Sequence, residues 1–294
     1  MPKIWQPPGC TIRDYQPRDI QICLQKRRVV FIGDSAVRQV FWSTVAALDH
    51  GHSSEGEKHS DYLVQEHGVT LEFIWDPWLN STRLATELDI FLKKDKKRNP
   101  PAILLLGTGL WYSKYMGEDW ILHWKASIDS VLRYMRWTNS TVSRPHSDFI
   151  LLVPVTVPDW NKLSEKNKEL ITLEEVTLMN DYLATVSNTN GADIAWAFNK
   201  LAGDMPQAFD ESGIHNVQDI ANVKADILLN LRCNSELEKY PLDGTCCNTY
   251  KSPNYVQWLT LIGTLFALGA VGVILKGWGT LSLHQVNHCS NTTV

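Results

Sequence analysis

Ser35 closes the run Phe31-Ile32-Gly33-Asp34-Ser35, where an apolar stretch ends abruptly in small and polar residues. Such a run reads as a buried β-strand entering a turn, so Ser35 falls at a strand-to-helix junction. Its backbone N–H is then an unpaired donor at the positive end of a helix dipole, where developing negative charge is stabilised. A serine so placed can attack a carbonyl while its own N–H helps to hold the oxyanion. Asp and Ser are also good N-cap residues, so the same residues serve equally to start a helix. The hydroxyl needs a base. Among the nine histidines, His50, His52 and His59 lie in a charged loop and read as solvated, with no metal site expected there. His67, His123 and His146 have no acidic or glycine-rich setting. His215 differs, because Phe209-Asp210-Glu211-Ser212-Gly213-Ile214 leads into it and the final helix begins there. Asp210 can accept from one ring nitrogen while the other faces Ser35, which fixes the tautomer as a triad requires. Asp210, not Asp34, is expected to be the carboxylate nearest the far nitrogen; an outward-pointing Asp210 would leave a Ser–His dyad. Arg38, one turn after Ser35, suits an anionic or polar substrate and, equally, a solvated helix face.

Positioning these groups requires strands alternating with helices. Apolar runs at 28–33, Val69 to Trp75, Ala102 to Gly107 and Asp148 to Val155 read as buried strands, with a short fifth at Asp193 to Trp196. Helical patterns lie between them at Ala36 to Leu48, Thr82 to Leu92, Asp119 to Trp137 and Leu173 to Val186, and His215 to Asn230 supplies the last. Continuous apolar strands alternating with amphipathic helices mean a parallel sheet covered on both faces, a three-layer α/β sandwich over about residues 28–232. In such sheets ligands bind beyond the carboxyl ends of the strands. The loops at Gly33 to Ser35, Trp75 to Asn80, Gly107 to Trp111 and before His215 therefore share one rim.

The chain has 294 residues, 44% of them hydrophobic and 20% charged, with a net charge of -4. These values exclude a disordered chain and a disulfide mini-scaffold, and no nucleic-acid partner is expected of an acidic protein. Leu259 to Leu275 is a run of 17 residues without a charge, flanked by Trp258 and Trp278. As a helix, 258–278 would extend about 31 Å, close to the bilayer's hydrocarbon core, with the two indoles at the interfaces. A transmembrane helix at 258–278 is expected, a buried core helix being the alternative. No apolar leader follows Met1, yet sequons begin at Asn80, Asn139 and Asn291, and six cysteines are present. Cys10 and Cys23 bracket 12 residues, as do Cys233 and Cys246. Adjacent Cys246 and Cys247 suit zinc poorly, so disulfides in an oxidising lumen are expected, and with them a truncated or misannotated start. The expected organisation is a Cys-containing arm at 1–27, the α/β domain at 28–232, a Cys-containing juxtamembrane segment at 233–257, the span at 258–278 and a tail at 279–294.

Several motifs together resemble one family. Cys10, Tyr15, Cys23-Leu24 and the stretch from Arg28 through Gly33-Asp34-Ser35 to Arg38-Gln39 look like the start of the luminal domain of the fungal capsule O-acetylation and animal sialate O-acetyltransferase family. Phe73 to Pro77 with Asn80, Gly107 to Trp111, and Asp243 to Cys247 followed by Pro253 and Gln257 are also similar to it. The resemblance implies an SGNH-hydrolase-like sandwich facing the Golgi lumen, continuing into a many-spanning acyltransferase region. It also implies acetyl transfer to sugar hydroxyls through an acyl-serine, with Ser35 as nucleophile, His215 as base and Gly107 in the oxyanion wall. Asn80 falls in the second motif block, so the resemblance places it in the site and not under a glycan. No bound cofactor is implied, with an acetyl donor such as acetyl-CoA as co-substrate. A glycan, the membrane and a partner membrane acyltransferase are the expected partners.

Three departures from the pattern bear on function. Ser212 occupies the place three residues before the histidine where the wider SGNH pattern has Asp, so Asp210 needs a looped turn at Gly213 to reach the ring. The Gly107 loop lacks the Asn that hydrolases of this class use as an oxyanion donor. The chain ends 19 residues beyond Leu275, so the many-spanning region is expected to be missing, as in a fragment or a singly anchored relative. Three readings stay open: a glycan O-acetyltransferase, a carbohydrate acetylesterase using the same residues, and a non-catalytic glycan-binding pseudoenzyme.

Overall fold

Every residue of Pro101–Gly107 is buried, and so are all of Arg28–Gly33 except the first. Strands apolar on both sides need cover on both, which helices crossing over a parallel sheet provide. The computed structural model describes residues 12–49, 57–139, 148–205 and 207–234. The chain divides into two units, Met1–Thr249 and Tyr250–Val294, and the second lies outside the described residues.

In chain order, α1 (Pro17–Leu24) leads to β1 (Arg28–Gly33) and α2 (Ser35–Leu48). A hairpin follows, β2 (Tyr62–Glu66) and β3 (Val69–Trp75), then α3 (Thr82–Lys93), β4 (Pro101–Gly107), α4 (Leu110–Tyr115) and α5 (Trp120–Asn139). β5 (Phe149–Leu152), α6 (Glu165–Leu170), α7 (Leu173–Asn190), α8 (Ala197–Asp204) and α9 (Gln218–Cys233) complete the described part. The sheet order is β2-β3-β1-β4-β5, with β3, β1, β4 and β5 parallel and β2 antiparallel to β3. Alternating side chains divide the core: Val29 and Phe31 pack with α1, α2, α8 and α9, whereas Val30 and Ile32 pack with α3, α5 and α7. This five-stranded, mostly parallel sheet with helices on both faces is the expected α/β sandwich. The chain leaves β1 toward β3 on one side and returns to β4 on the other, so a crevice opens beyond the carboxyl end of β1.

The membership of the sheet differs from expectation. Asp193 to Trp196 forms one bridge only, Ile194 opposite Leu152. Trp196 N–H bonds back to Ile194 O at 2.9 Å and Phe198 N–H to Ala195 O at 2.9 Å, turning the chain into α8 before a ladder can form. The fifth strand is β2, hidden in the sequence because Val64 alone of its residues is buried. His67 (φ 52°) and Gly68 (φ 79°) join it to β3 through a two-residue turn with both residues left-handed, the geometry that matches strand twist. Part of the arm at 1–27 is helical, since Pro17 in the first turn and the Asp19 carboxylate accepting from Gln16 N–H start α1. The last helix begins at Gln218, leaving His215 in the preceding loop.

Cys23 on α1 is joined to Cys233 at the end of α9, with Cα atoms 5.5 Å apart. Cys10, Cys246, Cys247 and Cys289 lie outside the described residues, as do Asn291 and the expected span at 258–278. Among the described residues, no helix is long and apolar enough to cross a membrane.

Candidate active site

β1 and β4 end side by side at Gly33 and Gly107. A Cβ on Gly33 would lie 2.1 Å from Gly107 O, so only glycine lets the two strand ends approach this closely. The chain then turns into α2, where Asp34 is the N-cap and its Oδ1 accepts from Ala36 N–H at 2.9 Å. Ser35 is the first residue of α2, and its N–H has no partner among the described residues. Gly107 and Gly109 are equally confined, since a Cβ on either would press within 3 Å of Val37, Val153 or Val155. Backbone alone therefore forms that wall beside Ser35.

His215 reaches Ser35 from the loop before α9, and its Nε2 lies 2.8 Å from Ser35 Oγ. The second half of the expected triad is looser. Gly213 adopts φ +69° and the looped turn forms, with Gly213 N–H on Asp210 O at 3.2 Å. Yet Asp210 Oδ2 stays 3.9 Å from His215 Nδ1, an ion-pair distance and not a hydrogen bond. Its other oxygen is engaged by Ser212, whose N–H donates at 2.9 Å and whose hydroxyl donates at 2.5 Å. Ser212 Oγ in turn accepts from the backbone N–H of Ile214 and His215. Ser212 thus builds the loop, and the centre is a Ser–His dyad with a carboxylate close by.

The dyad opens into a cavity of about 450 Å³. Arg38, Lys58 and Lys114 line it without an ion pair among the described residues, and the Arg38 guanidinium lies 5.8 Å from the Trp75 ring centroid. Arg38 Nη1 is buried with no hydrogen-bond partner among the described residues. Asn80 is exposed and does not line the cavity. Asp76 explains this, since its carboxylate accepts from Asn80 and Ser81 N–H at 3.2 and 3.0 Å while Leu79, at φ 45°, buries its own side chain. No asparagine lines the cavity among the described residues. His59, read from sequence as a solvated loop residue, stacks on Trp75 at 4.5 Å, meets Trp111 edge-on at 5.5 Å and lines the cavity. Trp111, Tyr115 and Lys114 complete that wall, and the α4 helix carrying them was not foreseen. Only the aromatic density after Gly109 could have signalled it. Among the described residues no group of His, Cys, Asp and Glu could hold a metal ion.

Burial holds the His215 imidazole below its ordinary value of 6.5; Asp210 opposes this, while Arg38, Lys114 and Lys58 reinforce it. His215 is therefore neutral at physiological pH, with a lone pair free to take the Ser35 proton. The acid limb of Ser35 reactivity is expected to have its midpoint below 6.5. Asp210→Asn should move that midpoint further down, because Asp210 is the group that raises it. Burial pushes the neighbouring Asp34 up to about 6, so it titrates in the same region. Asp34→Asn keeps the helix cap and separates the two titrations. Rates of Ser35 modification by a fluorophosphonate, measured against pH, check this; a midpoint above 6.5 contradicts it.

Fold and site bring a serine–histidine pair within hydrogen-bond distance at the carboxyl rim of an α/β sandwich. No family model matches the chain. It is 23% identical over 284 residues to the N-acetylneuraminate (7)9-O-acetyltransferase of Danio rerio, a match covering 94% of this chain and 34% of that protein. It is 25% identical over 175 residues to protein trichome birefringence-like 1 of Arabidopsis thaliana, covering 47% and 32%. Xylan O-acetyltransferase 14 of Oryza sativa subsp. japonica is 30% identical over 81 residues, covering 26% and 17%. The chain spans about a third of the length of the first of these relatives. Two of the three are named for O-acetyl transfer to a glycan component.

Proposed function

We propose that this chain carries the catalytic site of a glycan O-acetyltransferase working through an acetylated Ser35. The observation that supports this most is the 2.8 Å approach of His215 Nε2 to Ser35 Oγ, beside a Ser35 N–H with no partner among the described residues. Ser35 Oγ attacks the carbonyl carbon of an acetyl thioester such as acetyl-CoA, and its proton passes to His215 Nε2. The tetrahedral oxyanion is held by the Ser35 N–H and the glycine-lined end of β4. Collapse expels the thiolate, which takes the proton from His215, and leaves the acetyl ester on Ser35. A sugar hydroxyl then gives its proton to His215 and attacks the ester carbonyl, restoring free Ser35 and releasing the O-acetyl sugar.

The names of the relatives support a glycan acceptor, and the wall formed by Trp111, Tyr115 and His59 suits the apolar face of a sugar ring. Arg38, whose buried Nη1 has no partner among the described residues, is suited to an acidic or polar substituent. The buried Cys23–Cys233 bond fits folding in an oxidising compartment, so we place the site on the luminal side of a secretory-pathway membrane, anchored by the segment at 258–278.

A second reading, the acetylesterase, rests on solvent access: the His215 side chain is 36% exposed and that of Asp210 44%. One assay separates the two. The full chain is given acetyl-CoA, or an acetylated sugar, with and without a sialylated or xylan acceptor, and both O-acetyl glycan and free acetate are measured. Acetyl transfer that consumes donor faster when acceptor is present is the expected result. Free acetate formed at equal rates in both conditions would establish the esterase, and no turnover of either donor would overturn both.

A further inference from the structure

The loop carrying His215 has no regular secondary structure, yet its ring is held within hydrogen-bond distance of a residue 180 positions earlier. Something must hold it there. The next residue, Asn216, is buried and uses every kind of polar atom it has. Its N–H donates to Gln39 Oε1 at 3.2 Å, and its carbonyl accepts from Gln39 Nε2 at 2.8 Å. Its side-chain Nδ2 donates to Ala208 O at 3.2 Å, and its Oδ1 accepts from Lys224 Nζ at 2.5 Å. Gln39 lies on α2 about one turn beyond Ser35, and Lys224 lies on α9.

We propose that Gln39 and Lys224 are positioning residues that act through Asn216 to hold His215 against Ser35. The Gln39 amide grips both backbone groups of Asn216, so α2, which carries the nucleophile, also grips the peptide next to the base. Lys224 fixes the other end of the same residue. It is almost fully enclosed, its ammonium lies 5.4 Å from the Phe198 ring centroid, and burial lowers its pKa to about 8. Among the described residues no carboxylate pairs with it, and an enclosed ammonium so placed is costly, so stability alone would favour an apolar side chain there. Lys224 does not line the cavity, so any effect it has on reactivity passes through the loop.

This inference builds on the Ser35–His215 reading, and its test uses two variants of the full chain, Gln39→Leu and Lys224→Met. Each is measured for its fluorophosphonate labelling rate, resolved into saturating rate and half-saturating concentration, for the NMR titration of His215, and for thermal stability. Loosening the loop misplaces the base, so the saturating rate should fall about 10- to 100-fold in Gln39→Leu and about 10-fold in Lys224→Met. In Lys224→Met, which leaves the cavity lining intact, the half-saturating concentration should stay unchanged; Gln39 lines the cavity, so for Gln39→Leu the saturating rate and the His215 titration are the readouts. In both variants His215 should titrate higher, toward its ordinary value of 6.5, as its ring becomes more hydrated. A purely structural role would instead lower the melting temperature and leave the folded molecules' saturating rate and His215 titration as in the wild type. That result, in either variant, overturns the clamp. If the wild type is not labelled at all, the catalytic reading has failed, and the His215 titration still decides the clamp.

Discussion

Ser35→Ala is expected to lower acetyl transfer by about 10⁴-fold or more, and His215→Ala by a similar amount, with the double variant no worse than either single one. The non-additivity follows from the mechanism, because without the hydroxyl the imidazole has no proton to take, and without the imidazole the hydroxyl is a weak nucleophile. Neither change should unfold the protein, since the α2 cap is Asp34 and His215 is part-exposed. Asp210→Asn tests the looser half of the site. In a closed triad such a change costs about 10⁴-fold. Here the carboxylate stands 3.9 Å from the ring nitrogen, so a loss of about 10-fold or less is expected. Steady-state rates with a saturating acetyl donor check all four variants. A loss for Asp210→Asn as large as that for His215→Ala would mean the triad closes during turnover.

Removing the Cys23–Cys233 disulfide is expected to destabilise the α/β unit by about 3–5 kcal/mol. The bond closes a loop with a sequence separation of 210 residues, and loop-closure entropy grows slowly with length, so the stabilisation sits near the top of the usual range. Both sulfurs are buried between α1 and the end of α9, and replacing them with alanine also removes packing. The double variant Cys23→Ala/Cys233→Ala is preferable to a reducing agent, which would also act on the chain's other cysteines. Urea unfolding of variant and wild type gives the difference, and a change below about 1 kcal/mol would show that the bond carries little of the stability. The effect should be one of stability and not of chemistry, since the residue after His215 is held by Gln39 on α2 and by Lys224, nine residues before Cys233 on α9.

The parts of this architecture legible in the sequence were those written locally. Gly33, Asp34 and Ser35 follow an apolar run, and the strand-turn-helix they announce is present. His215 was singled out for the glycine-bearing acidic loop before it, and it does meet Ser35. Reading the Asp210 contact required a distance that no local pattern encodes. Ser212 captures the carboxylate inside the loop, and a fraction of a turn decides between 3.9 Å and a hydrogen bond. β2 was missed because an edge strand buries one face poorly, so its alternation is faint, while His67-Gly68 was the overlooked turn signal. Asp193 to Trp196 looked like a strand because it is apolar, but the turn into α8 consumes its backbone groups. Asn80 was placed in the site by family resemblance, and Asp76 turns it outward. The equal spacings Cys10/Cys23 and Cys233/Cys246 announce disulfides without assigning partners, and the Cys23–Cys233 pairing joins distant parts of the chain that spacing does not reveal. His59 is exposed, as its charged loop suggests, and also stacks on the aromatic wall, a contact that no local pattern marks.

The central claim is that Ser35 becomes acetylated and passes the acetyl group on. Mixing the full chain with acetyl-CoA, quenching at early times and sequencing the proteolytic peptides by mass spectrometry tests this directly. One added acetyl group on Ser35 is expected, absent from Ser35→Ala and discharged when an acceptor glycan is added. Acetyl transfer to the glycan proceeding with Ser35 unmodified, or undiminished in Ser35→Ala, would contradict it.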